Sequence, residues 1–196
     1  MLKVYTFQSK IPYGSNTHVI ISDGEAVVVD PSVDIGQLLN LTQGEQVKIK
    51  AVVLTHAHFD HMLYIDSYYN SAVPIYVGAL DKAALNNSNL NCYMRFLHEN
   101  KGFFGETQSL FEGDEIRVGN EVLCVIETPG HTPGSISLYS EGVLISGDLI
   151  FAEGGFGRYD LPGGDYKTLF ESIERVKRLP KGTAVYTGHG PNTVIN

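Results

Sequence analysis

Apolar residues along this chain gather in short bursts, and most bursts are bounded by turn formers instead of being spread at helical spacing. Thr17–Ile21 and Ala26–Val29 flank Asp23-Gly24, the dipeptide of a tight hairpin, and are predicted as two paired strands. Ile49–Leu54 has the length and composition of a buried strand, and Pro74–Val77 predicts another. The second half repeats the rhythm, with strands predicted near Glu115–Val118, Val122–Glu127, Ser135–Tyr139, Val143–Ser146 and Ala184–Tyr186. Helical spacing is rarer. Short helices are predicted over Ile35–Leu41 and Ala79–Leu85. A longer one covers Tyr166–Leu179, where Leu169, Phe170, Ile173, Val176 and Leu179 recur before Pro180 stops it. Residues 86–109 follow neither period and predict a partly helical excursion over the surface, of the kind that is usually functional or mobile. No linker or low-complexity stretch divides the chain. Strand-rich halves, each with helices, predict an α+β fold in which two sheets pack together with helices outside, residues 1–196 forming one domain.

Composition narrows the class. The chain has 196 residues, 43% hydrophobic and 18% charged, too apolar and too weakly charged for disorder. The formal charge is −8 with no run of Lys or Arg, which argues against a nucleic-acid surface. Two cysteines, Cys92 and Cys124, are too few for a disulfide framework. Nothing approaches the ~18 apolar residues of a membrane span, and Met1–Phe7 lacks the pattern of a signal peptide. A cytoplasmic protein acting on a small molecule, with no membrane partner, is the expectation. Oligomeric state is not legible. Glycine, at 21 residues, is in excess, which predicts tight turns or backbone that approaches a ligand closely.

The candidate chemistry concentrates in Thr55-His56-Ala57-His58-Phe59-Asp60-His61. Three imidazoles and a carboxylate within six positions make a natural chelate for divalent cations. On a chain that stays extended, His56 and His58 project the same way, while Asp60 and His61 fall where it turns and can face elsewhere. One motif can therefore serve two neighbouring ions. His131 in Thr128-Pro129-Gly130-His131, Asp148 after Ile145-Ser146-Gly147 and His189 in Thr187-Gly188-His189-Gly190 share one context, a strand-to-loop junction beside glycine. That is how a rigid scaffold presents a convergent site. A purely structural zinc would be expected in a closed, cysteine-containing set, and none of the seven candidates is cysteine. His18 is read as a strand residue and His98 as a solvated helix position.

His56-x-His58-x-Asp60-His61, followed by His131, Asp148 and His189, resembles the metallo-β-lactamase superfamily, and the resemblance runs from about Thr17 to His189. It implies the four-layer αββα sandwich of that superfamily, with two mixed sheets face to face. It also implies two divalent metal ions, zinc first with iron or manganese as alternatives. His56, His58 and His131 would bind one ion, Asp60, His61 and His189 the other, and Asp148 would bridge them. Gly147-Asp148-Leu149-Ile150-Phe151, followed by Gly157-Arg158-Tyr159-Asp160-Leu161-Pro162-Gly163-Gly164-Asp165, is similar to the glyoxalase II-like (hydroxyacylglutathione hydrolase-like) group. The implied activity is hydrolysis of an anionic thioester by a metal-bridging hydroxide, without the C-terminal glutathione-binding helical region of the full-length enzymes.

In that reading Asp60 is the catalytic residue, acting as ligand and orienter. Arg158 is a candidate for a substrate carboxylate, set against an ion pair with Asp160 or Asp165. Phe59, Phe156 and Tyr159, with Phe104, are candidates for an apolar pocket wall. Three other readings stay open: a persulfide dioxygenase with one iron on His56, His131 and Asp148, a lactonase, and a metal-dependent sensor or interaction module.

Overall fold

The computed structural model describes residues 2–41 and 47–196. Its apolar bursts pair into two six-stranded mixed sheets. The first sheet runs in sequence order through β1 (Lys3–Gln8), β2 (Asn16–Ser22), β3 (Glu25–Val29), β4 (Lys48–Leu54), β5 (Ile75–Gly78) and β6 (Gln108–Leu110). The β1–β2–β3 ladders are antiparallel and those from β3 to β6 are parallel. The second sheet contains β7 (Glu115–Val118), β8 (Glu121–Glu127), β9 (Ile136–Ser140), β10 (Val143–Gly147), β11 (Ala184–Thr187) and β12 (Thr193–Val194), ordered from β12 back to β7. There only β10 and β11 pair in parallel.

Side chains of period two sort the layers. Ile20, Val27, Val29, Ala51 and Val53 of the first sheet pack with Leu123, Val125, Ile136, Leu138 and Ile145 of the second to form the central core. The alternating residues Ala26, Val28, Val52 and Leu54 face the other way. They pack with Leu38 of α1 (Ile35–Leu41) and with Ile65 and Tyr68 of α2 (Ile65–Tyr69). On the far side of the second sheet, Leu144 and Val185 pack with Leu169, Ile173 and Val176 of α4 (Tyr166–Val176). The layer order is helix, sheet, sheet, helix. Within β2, β3 and β4 the stretches Val19–Ile21, Ala26–Val29 and Ala51–Leu54 bury both faces, so they read as unbroken apolar runs instead of alternating ones.

Several elements depart from the expectation. β1, β6 and β12 are edge strands, and their short or half-polar patterns hide them in the sequence. The helix expected over Ala79–Leu85 is a 3-10 helix over Ala79–Ala84. The helix expected to reach Leu179 ends at Val176. It begins where the Asp165 carboxylate accepts from Thr168 N at 2.7 Å. Residues 86–109 are partly helical, with α3 spanning Tyr93–Leu97, but they are tied down. Buried Asn91 donates to the Leu85 and Lys101 carbonyls, Phe59 N donates to Asn91 O, and Phe103 is buried with its ring against Tyr69. No helix among the described residues is long and apolar enough to cross a membrane.

Candidate metal centre

Four strand ends deliver the polar residues to one place. β4 runs into Thr55–His61, β8 into the loop holding His131, β10 into Asp148 and β11 into His189. Backbone bonds lock these ends together. Gly188 N donates to Gly147 O at 2.9 Å, Asn16 N to Gly188 O at 2.7 Å, and Ile136 N to Thr55 O at 2.8 Å. Much of the glycine excess has its reason here. A Cβ on Gly188 would collide with the Asp148 carboxylate, and one on Gly147, at φ +52°, would enter the Thr55 side chain.

His56 Nε2, His58 Nδ1 and His131 Nε2 form a triangle with edges of 3.1, 2.9 and 3.2 Å. The outward nitrogens of two rings decide what faces inward. His131 Nδ1 lies 2.6 Å from the Arg158 carbonyl, which only accepts, so this nitrogen carries the proton. The Thr55 hydroxyl donates to Asp30 Oδ2 at 2.7 Å and accepts from His56 Nδ1 at 3.1 Å. Both rings therefore turn a bare lone pair inward, and these meet across 3.2 Å with no hydrogen between them. Ring nitrogens at such spacing suit a shared cation at ~2.0–2.1 Å from each. Burial, then crowding by the other imidazoles, holds His56 well below the ordinary imidazole pKa, and burial beside His131 lowers His58 to about 3. His56 and His58 are therefore neutral at pH 7, the form that ligates metal.

The neighbouring group is acidic. His189 Nε2 lies 3.1 Å and His61 Nε2 3.7 Å from Asp60 Oδ2. Asp148 stands between the groups, with Oδ2 3.5 Å from His131 and 3.6 Å from His189, and Oδ1 3.4 Å from His61. His61 Nε2 and Asp148 Oδ1 are buried and have no hydrogen-bond partner among the described residues. A ring nitrogen and a carboxylate oxygen left without a hydrogen-bond partner in this way fit a cation that takes the place of the imidazole proton. Burial opposes charge on His61, but Asp30, Asp148 and Asp60 outweigh it and hold its pKa well above the ordinary value. Burial likewise opposes the Asp148 carboxylate, yet His61 and His189 keep its pKa well below the usual range.

Asp30 completes this geometry and was not expected. It is fully buried at the end of β3, with φ +54°. Its carboxylate accepts from His61 Nδ1 at 2.8 Å and from Thr55 through both the backbone N and the hydroxyl. It thereby orients His61 directly and His56 through Thr55. The signal lay in Val27-Val28-Val29-Asp30-Pro31, an acidic residue at the same kind of strand-to-loop junction as the other candidates.

The structure brings all seven expected ligand residues together and sets the four substrate candidates in two pairs, Arg158 and Phe59 about Phe96, Phe156 and Tyr159 on α4. The Arg158 guanidinium makes two hydrogen bonds to Asp160, at 2.9 and 2.7 Å, and lies 5.9 Å from the Phe96 ring centroid. Asp165 caps α4 instead. Phe59 is 3% exposed and packs in a satellite cluster with Cys92 and Leu161, beneath Tyr13 and Phe96. Phe156 and Tyr159 are about two-fifths exposed and meet Phe170 and Tyr166 of α4 edge to face. His18 is a buried strand residue that donates to Thr187 O at 3.0 Å. His98 is exposed just past α3.

Known proteins share this arrangement of sheets and chain. The chain is 36% identical over 189 residues to the probable metallo-hydrolase YqgX of Bacillus subtilis (strain 168), covering 94% of this chain and 89% of that protein. It is 30% identical over 178 residues to the hydroxyacylglutathione hydrolase GloC of Haemophilus influenzae (strain ATCC 51907 / DSM 11121 / KW20 / Rd), covering 87% and 82%. The crystal structure of the BLEG-1 B3 metallo-β-lactamase superposes with a TM-score of 0.90 at 34% identity, covering 98% of this chain and 94% of that one. The model of the metallo-β-lactamase superfamily matches residues 11–189, and the chain belongs to that superfamily.

Proposed function

We propose that the seven residues hold two divalent cations and that the protein hydrolyses a thioester of the hydroxyacyl-thiol class. The observation that carries the metal reading is the inward-facing pair of lone pairs on His56 and His131, with the bare His61 Nε2 and Asp148 Oδ1 beside them. His56, His58 and His131 would hold one ion, Asp60, His61 and His189 the other, with Asp148 between them. Bound there, the two cations would supply an acidified water and electrostatic stabilisation of the oxyanion.

The chain's own groups prepare that chemistry. Burial keeps His56 and His58 unprotonated, so no proton has to leave either ring before an ion binds. Asp60 and Asp148 place two negative charges beside His61 and His189. Asp60 acts as ligand and orienter, its backbone carbonyl accepting from the Ser32 hydroxyl and from Ser15 N. Arg158 would meet a substrate carboxylate by exchanging its bond to Asp160. Tyr159 and Phe156 would offer apolar wall, and Phe59 would support the Tyr13 and Phe96 rings from below. The 30% identity to a hydroxyacylglutathione hydrolase supports the thioester class. Donors of nitrogen and oxygen suit zinc, with iron or manganese as the alternatives.

Elemental analysis paired with a substrate panel tests this. Two metals per chain and turnover of a hydroxyacyl thioester in preference to a lactone, a β-lactam or a persulfide is the expected result. One iron per chain with oxygen consumption would overturn it in favour of a persulfide dioxygenase. Two metals without turnover of any of these would favour a sensor or interaction module.

A further inference from the structure

The three nitrogens of the trio come from two chain segments, 56–58 after β4 and 131 after β8, and their spacing depends on how those segments are joined. One side chain outside the ligand set joins them. Asp81, in the 3-10 helix that follows β5, is 1% exposed. Its Oδ2 accepts from the backbone N of Ala57, the residue between His56 and His58, at 2.8 Å. The same oxygen accepts from the hydroxyl of Thr132, the residue after His131, at 2.8 Å. Its Oδ1 accepts from Gly134 N at 2.7 Å. The carboxylate therefore grips both ligand-bearing segments at once. It also has no room to shift. A Cβ on Gly134 would run into the Asp81 backbone nitrogen, and one on Gly78 into the Gly134 carbonyl, so the backbones here are in direct contact.

A buried carboxylate whose hydrogen-bond donors are all neutral has no positive charge among them to offset its own, and burial raises the Asp81 pKa. Ordinarily such a group is costly to bury, and a nearby cation offsets that cost. Asp81 bonds to the residues that flank His56, His58 and His131, beside which a divalent ion would supply the missing positive charge. Metal sites also tolerate only small errors in ligand position, on the order of a few tenths of an ångström.

We propose that Asp81 is a positioning residue for the trio, setting the spacing of His56, His58 and His131 and favouring a cation among them. This rests on the reading of the seven residues as a two-ion centre. Asp81 touches neither ion nor substrate; it acts through Ala57, Thr132 and Gly134.

The test separates the two ligand groups. In a His189→Ala background, titration of metal-free protein with Co2+ against a chromophoric chelator reads the trio, and the visible cobalt spectrum reports its geometry. There Asp81→Asn should weaken binding about 10–100-fold and alter the spectrum, as loss of an outer hydrogen-bond partner does elsewhere. In a His131→Ala background the same substitution should move the affinity of the other group by no more than about twofold. Thr132→Val, which removes one of the three bonds with little change of volume, should act in the same direction more weakly, and Thr132→Ser should restore binding. Should Asp81→Asn fail to fold, the Thr132 pair decides. Equal weakening of both groups, or no selective effect on the trio, would overturn the inference. Identical titrations of the wild type and His131→Ala would instead remove the metal-centre reading, and this inference with it.

Discussion

The trio of His56, His58 and His131 and the group of Asp60, His61 and His189 lie side by side yet are held by opposite means. Burial and crowding by neighbouring imidazoles keep His56 and His58 neutral, and neutral acceptors, the Arg158 carbonyl and the Thr55 hydroxyl, aim the His131 and His56 rings. The second group is aimed by charge. His61 is pinned by Asp30, and its imidazole and that of His189 are drawn toward protonation by Asp60 and Asp148. Exposure differs as well: the trio is buried, whereas the His189 side chain is 36% exposed. A buried trio in which His56 and His58 stay neutral is ready for a cation at pH 7, while the acidic group must first exchange protons for one. The first ion should accordingly be the more tightly held, and the second the more dependent on pH.

The strongest way to break this contrast is to remove a ligand from the trio. His131→Ala should lower kcat/KM by about a thousandfold or more, because several kcal/mol of charge stabilisation are at stake and each 1.4 kcal/mol is tenfold. His189→Ala should lower it by less and leave one metal per chain instead of two. Metal analysis beside steady-state kinetics measures both. Equal losses from the two substitutions would show that the groups act only as a unit.

A second effect concerns the support behind His189. His18 donates to the carbonyl of Thr187, two residues ahead of that ligand, and burial lowers its pKa to about 4. In the unfolded chain it titrates near ~6.5. Below that value the unfolded state binds the proton more readily, so stability falls as pH drops from about 6.5 towards 4 and levels off beneath it. The loss from this one residue is about 3 kcal/mol. His56 and His58 contribute in the same direction, so the informative quantity is the difference between the wild type and His18→Gln. Urea unfolding of metal-free protein across this window should give the variant a flatter pH dependence by about that amount. A wild-type slope retained in the variant would place the titration elsewhere.

Asp30→Asn sharpens the contrast from the other side. The amide keeps the size of the carboxylate but loses the charge that pins His61 and one acceptor for Thr55. Metal affinity of the second group should drop about 10–100-fold, with a smaller effect on the trio transmitted through Thr55.

The candidate ligand set was legible because its four segments each follow an apolar strand, and His131, Asp148 and His189 are also bordered by glycine, so chemistry and scaffold carry the same signal. The core strands were legible for the related reason that stretches buried on both faces, such as Val19–Ile21, Ala26–Val29 and Ala51–Leu54, are continuously apolar. What escaped has a physical cause too. Edge strands β1, β6 and β12 are stabilised on one side only and need little hydrophobic pattern. Asp30 and Asp81 act through hydrogen bonds to groups distant in sequence, Asp30 to Thr55 and His61, Asp81 to Ala57, Thr132 and Gly134, and local pattern does not encode those partners. The aromatic residues were the least legible. Phe59, Phe156 and Tyr159 are equally suited to a pocket wall and to packing, and only the tertiary contacts show where each ring goes.

Arg158 carries the smallest and most finely balanced effect. Its backbone carbonyl serves the trio through His131, while its side chain is exposed and already engaged by Asp160. An exposed ion pair contributes about 0–1 kcal/mol, so Arg158→Ala should hardly change stability. If the guanidinium receives a substrate carboxylate, it must leave Asp160 to do so, and the net gain is the difference between two similar bonds. Arg158→Ala should then raise KM for an anionic thioester about three- to tenfold and leave kcat and a neutral analogue unaffected. Asp160→Asn frees the guanidinium and should lower KM for the same anionic substrate. The two substitutions thus move KM in opposite directions if Arg158 binds substrate. A shared rise would assign the pair to supporting the Phe96 wall, and no change in either would confine Arg158 to the carbonyl that aims His131.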